Sequence, residues 1–142
     1  MTNLIYRKIA FSLSLAGVLF SGYLSGIKFF TETCAFNESC PYFAGYPACY
    51  FGFALFLVLF VTSLTLVMGR TDFLTALKVN TFFSLLGVLF SGRFAYPEVR
   101  DMMLGTLPYR FFGLTTCAYG FIFFACILTL SLWAMKKERG YN

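Results

Sequence analysis

Four apolar stretches dominate this chain of 142 residues, at about residues 9–29, 48–68, 76–94 and 111–135. Each approaches the roughly 20 mostly apolar residues that a helix needs to cross a bilayer. A chain in lipid must satisfy its own backbone N–H and C=O groups, so such stretches fold as helices. The third is the weakest, because Lys78 and Asn80 sit in its first turn. Lys78 can keep its stem in lipid and its charged end at the interface. Only 12% of the residues are charged, about half the share of a soluble domain, and so few could not cover a water-facing surface. The expectation is an all-α, integral membrane four-helix bundle, with residues 1–142 forming a single transmembrane domain.

The first stretch, with Arg7 and Lys8 ahead of it, also has the layout of a signal peptide. Its apolar run is long for one and no small-x-small cleavage site follows, so it is read as a retained span.

Charge orients the bundle. One side carries Arg7, Lys8, Arg70, Lys78, Lys136, Lys137 and Arg139 against Asp72 and Glu138. The other carries Lys28, Arg93, Arg100 and Arg110 against Glu32, Glu38, Glu98 and Asp101. By the positive-inside rule both termini are cytoplasmic. The net charge of +5 is then a topology signal in a chain whose partner is membrane lipid, and no nucleic acid is expected. The loop with Cys34 and Cys40 lies outside the cytoplasm, where disulfides persist. The chain has no His, which removes the usual general base near neutral pH and the commonest metal ligand. No metal cluster, phosphate-binding loop or Ser/His/Asp set is present, and no metal is expected.

An internal repeat runs through the sequence. Residues 8–22 and 78–92 are identical at nine of fifteen positions, including the run G-V-L-F-S-G. Pro41-Tyr42, Gly45, Cys49 and Gly52-Phe53 recur, with one inserted residue, as Pro108-Tyr109, Gly113, Cys117 and Gly120-Phe121. The unit is a helix, an outer loop and a returning helix, repeated over about 8–69 and 78–137. Two copies of like topology imply parallel repeats about an axis along the membrane normal. Cys49 and Cys117 become equivalent positions at the outer ends of the second and fourth helices. Gly17, Ser21, Gly22, Ser25 and Gly26 make a small-residue stripe on the first span, and Gly87, Ser91 and Gly92 do so on the third. Such stripes let helix backbones approach closely in lipid, and they are read as contacts within the chain.

Five cysteines carry the chemistry that the sequence offers. Cys34 and Cys40 are separated by five residues in a polar outer loop, which also holds the glycosylation-type triplet Asn37-Glu38-Ser39. Closing so small a loop removes little chain entropy, so a bond there adds modest stability. A loop staple and an electron shuttle are both compatible with this pair. Cys117 follows Thr115-Thr116, which can cap a helix start, and Cys49 follows Gly45-Tyr46-Pro47, with Pro47 suited to a first turn. Backbone N–H groups at a helix start favour a thiolate and exchange. Each could equally be a small buried hydrophobe. Cys126, deeper on the fourth helix, is assigned to packing.

At these residues the chain resembles the vitamin K epoxide reductase family of membrane thiol oxidoreductases. Cys34 and Cys40 match the family's cysteine pair in the loop after the first helix. Gly45-Tyr46-Pro47-Ala48-Cys49-Tyr50-Phe51-Gly52 matches its G-x-P-x-x-x-x-G pattern, and Ser21-Gly22-Tyr23-Leu24-Ser25 is similar to the close of its first helix. The resemblance covers residues 14–60 and part of 111–130. Where the family has C-x-x-C, this chain reads Cys117-Ala118-Tyr119-Gly120. The resemblance implies a four-helix bundle around a quinone and a thioredoxin-like dithiol protein on the outer side.

The repeat supplies a substitute for the missing cysteine. Cys49 and Cys117 would form the membrane-facing pair, with Cys34 and Cys40 as the shuttle. Electrons would pass from an outer dithiol to the loop pair, to Cys117 and then to a quinone, each thiol step being attack of a thiolate on a disulfide sulfur. Tyr50, Phe51, Tyr119 and Phe121 could wall the ring. The alternative is a catalytically silent four-helix protein, or a small subunit of a membrane complex, whose cysteines are structural. A transporter is disfavoured, because no charged residue lies mid-membrane to carry ions or protons. The orientation predicts that a cysteine engineered near residue 140 escapes an impermeant thiol reagent in intact cells. Labelling there would overturn it.

Overall fold

The computed structural model describes residues 2–32, 42–105 and 116–141. Four helices account for most of them: α1 Thr2–Thr31, α2 Ala48–Val67, α3 Phe73–Met103 and α4 Thr116–Arg139. All four are long and apolar enough to cross a membrane, as the sequence predicts. Each packs beside its chain neighbours in a ring, with α1 against α2 and α4, and α3 against α2 and α4. Packing is most extensive within the α1–α2 and α3–α4 pairs.

Two helices outrun the apolar stretches that define them. α1 takes in Arg7 and Lys8, because charged residues near a helix start end its hydropathy and not its backbone bonding. α3 continues from residue 94 through Pro97 to Met103. At about 1.5 Å per residue its 31 residues reach about 46 Å, beyond the roughly 30 Å of a hydrocarbon core. It is therefore long enough to run past an apolar layer, and Tyr96 in its last turns is largely exposed. Expected span residues 111–115, including the capping Thr115, lie outside the described residues. Pro47 is the N-cap of α2 and not part of its first turn.

The glycine stripe works through aromatic rings. A Cβ placed at Gly17 would collide with the Phe56 ring, and one at Gly87 would collide with the Phe124 ring. A Cβ at Gly22 would lie 3.2 Å from Phe53, and one at Gly92 would lie 3.3 Å from Phe121. Phe56 and Phe124 then stack on each other across the ring of helices, with centroids 4.0 Å apart and planes 12° from parallel. Leu59 and Ile127 continue this cluster. Gly26 meets nothing within 4 Å, so the second glycine of the G-x-x-x-G makes no such contact.

Nearer the other end, all four helices contribute to a buried polar layer. Asn80 Nδ2 donates to the Tyr6 hydroxyl at 3.0 Å and to Ser63 Oγ at 3.4 Å. The Tyr6 hydroxyl also bonds Ser131 Oγ at 2.8 Å. Asn80, which weakens the third span by hydropathy, is fully buried, and Lys78 two residues earlier is exposed. Such bonds between helices in lipid contribute about 0.6 kcal/mol on average and rarely above about 1.7. Tyr6 also meets Phe73 edge to face. These contacts put the start of α1, the start of α3 and the end of α4 at one end of the bundle.

The glycine contacts predict a contrast between positions. Gly87→Val should destabilise the folded protein by about 1–3 kcal/mol through overpacking against Phe124. Gly26→Ala should change stability by less than about 0.5 kcal/mol. Unfolding in mild detergent measures both.

Candidate cysteine cavity

Cys49 is the second residue of α2 and Cys117 the second residue of α4. Both are half-buried. They line one cavity of about 60 Å³ at the end of the bundle opposite the polar layer. The stacked Phe56 and Phe124 also line it, with Gly52 and Gly120 between each ring and its cysteine. On α2 positions 49, 52 and 56 line it, with Ala48 beside them, and on α4 positions 117, 120 and 124 do. That spacing of three and then four is one face of a helix.

α1 and α3 close the sides in the same way. Phe20 and Ser21 line the cavity from α1, and Phe90 and Ser91 from α3. Phe20 meets Tyr119 at 5.9 Å between centroids, and Phe90 meets Phe51 at 5.7 Å. Ser21 Oγ donates to the Gly17 carbonyl at 2.6 Å, and Ser91 Oγ donates to the Gly87 carbonyl at 2.5 Å. With their protons committed to the backbone, both serines offer only acceptor lone pairs. Ser25 Oγ donates to the Cys49 carbonyl at 3.3 Å and ties α1 to the first turn of α2.

A short hairpin flanks the site. β1 Tyr42–Phe43 pairs antiparallel with β2 Tyr46–Pro47. Ala44 and Gly45 between them have φ of 52° and 86°, the positive values of a tight hairpin turn. Phe43 meets Phe51, Phe90 and Phe94 edge to face, with centroids 5.3, 5.5 and 6.4 Å away. Phe90 and Phe94 both line the cavity, so the hairpin buttresses its wall.

The structure thus brings Cys49 and Cys117 to one site. Cys34 and Cys40 lie outside the described residues. Of the residues expected to wall a ring, Phe51 and Tyr119 stand one contact behind the cavity, against Phe90 and Phe20. Phe121 lines a separate groove with Gly92 and Ala95, and Tyr50 is not among the cavity's lining residues. The lining rings are Phe20, Phe56, Phe90, Phe94 and Phe124. Counting three and seven residues on from each cysteine would have selected Gly52, Phe56, Gly120 and Phe124. Cys126, assigned to packing, is instead exposed on the outward face of α4.

The cavity does not fit a quinone as it stands. Its volume is several-fold below the roughly 300–1,000 Å³ of small-molecule sites. Its two serines, as placed, present no hydroxyl proton to a ligand carbonyl. Among the described residues no three His, Cys, Asp or Glu side chains converge on a metal position. No family model, curated protein or solved structure matches the chain.

The floor of the cavity yields a direct expectation. Phe124→Ala removes a nearly fully buried, stacked ring and should lower stability by about 3–5 kcal/mol. A denaturation series in detergent checks it.

Proposed function

We propose that this chain is a membrane thiol–disulfide oxidoreductase whose membrane-facing pair is Cys49 and Cys117. The observation that carries the reading is that both cysteines line one cavity, each from the second position of its helix. Two parallel helix–loop–helix halves would produce this arrangement, and the matched contacts of Gly17 with Phe56 and Gly87 with Phe124 support them. The same reading puts both termini in the cytoplasm and Cys34 and Cys40 outside it, on the charge asymmetry of the sequence.

The proposed exchange runs between sulfurs. A thiolate of an outer, thioredoxin-like dithiol protein attacks the Cys34–Cys40 disulfide, and that protein leaves as the disulfide. One of the two reduced loop cysteines then attacks the Cys49–Cys117 disulfide. The second loop cysteine completes the exchange, so the loop bond re-forms and Cys49 and Cys117 receive both electrons. The N-termini of α2 and α4 stabilise negative charge as each sulfur leaves. Phenylalanine rings wall the cavity beside the pair. A quinone is the acceptor proposed for reoxidation, and the cavity must widen to admit it.

The cavity's small volume favours the second reading, a silent four-helix membrane protein or complex subunit with structural cysteines. The two readings part on activity. Cys49→Ser and Cys117→Ser should each slow quinone-dependent dithiol oxidation by purified protein more than about tenfold, because each removes a sulfur that must be attacked. Cys126→Ser should leave the rate unchanged. Full activity in both of the first two variants would sink the relay.

A further inference from the structure

Among the described residues, the end of the bundle that carries the polar layer holds seven basic residues against Asp72 and Glu138. Within that end, one corner is shaped as a site. Trp133, Lys136, Lys137, Gly140 and Tyr141 line a hollow of about 480 Å³ at the end of α4. Lys137 Nζ lies 5.3 Å from the centre of the Trp133 ring, within reach of a cation–π attraction. The Gly140 N–H bonds the Lys136 carbonyl at 3.1 Å, and the Tyr141 N–H bonds the Glu138 carbonyl at 3.3 Å. Those bonds satisfy two carbonyls at the negative end of the helix, which would otherwise repel an anion.

The direction of the hollow identifies its occupant. Ser131 and Ala134 face the bundle interior and are fully buried. Trp133 is 49% exposed on the other side, in line with the exposed Thr129 and Cys126 below it. The hollow therefore faces away from the bundle interior, at the end of a helix long and apolar enough to cross a membrane. There an indole lies among headgroups, and lysines meet phosphates. A phosphate between two ammonium groups, above an apolar strip running down the helix, matches the two parts of a phospholipid.

We propose that this corner binds an anionic phospholipid, with Lys136 and Lys137 holding the phosphate and Trp133 seating the glycerol region. The site is independent of the cysteine chemistry. Lys136, Lys137 and Tyr141 are exposed, so the groups that would hold the lipid are accessible without any movement of the core.

The chain's single tryptophan reports on the site directly. The full chain is reconstituted in phosphatidylcholine, and phosphatidylglycerol brominated on its acyl chains is titrated in. Brominated phosphatidylcholine serves as the comparison. Trp133 fluorescence should be quenched at about tenfold lower mole fraction of the anionic lipid, on the scale expected of two lysines near a phosphate. The K136Q/K137Q double variant should lose that preference while melting at the same temperature, and Lys28→Gln at the opposite end should keep it. Equal quenching by both lipids in the unaltered protein would overturn the proposal. So would a preference that survives in the double variant, or one abolished by millimolar inorganic phosphate at constant ionic strength, which would mark a free-anion site.

Discussion

The stacked rings of Phe56 and Phe124 are the contact on which the rest of the bundle depends. Lipid offers apolar side chains the same surroundings as a core, so close packing has to hold the helices together. With centroids 4.0 Å apart, the two rings join α2 to α4 across the middle of the bundle. The rings can meet only because α1 and α3 present Gly17 and Gly87 to their flanks, where any side chain would strike them. The same rings serve two layers: on one side they floor the cysteine cavity, and on the other they continue into Leu59 and Ile127.

Beyond that apolar plug the bundle changes character. The layer of Tyr6, Asn80, Ser63 and Ser131 draws one polar side chain from each helix. Asn80 Oδ1 finds no partner among the described residues, which makes this layer the less settled of the two. When residues 8–22 are aligned with 78–92, Asn80 stands opposite Ala10, a large polar residue against a small apolar one. On the two-halves reading, this is where the halves have become different from each other, while the cavity end has kept matching residues. The division places thiols at one end and a polar contact at the other, with phenylalanine between them.

The fold was legible because lipid imposes a simple rule: long apolar stretches with few charges become helices. That rule located all four spans. The helices run on past those stretches wherever polarity and backbone conformation part company, at Arg7 and Lys8 in α1 and at Pro97 in α3. Hydropathy treated Asn80 as a defect, because a single sequence does not show which polar groups on other helices will meet it. The site was half legible. The repeat paired Cys49 with Cys117, and the structure places both on one cavity. The wall was read from the residues next to each cysteine in sequence, whereas a helix brings the third and seventh onto the same face. Phe20 and Phe90 reach the site from other helices, and only packing decides that.

Disulfide mapping by mass spectrometry, on membranes whose thiols are trapped before extraction, tests the central claim most directly. The account predicts a peptide linking Cys49 to Cys117 under mild oxidation, which disappears when an outer dithiol is supplied and returns when it is withdrawn. If folded protein never forms that link, or holds it unchanged in the presence of dithiols, the cavity is a feature of packing and the exchange chemistry assigned to it is wrong.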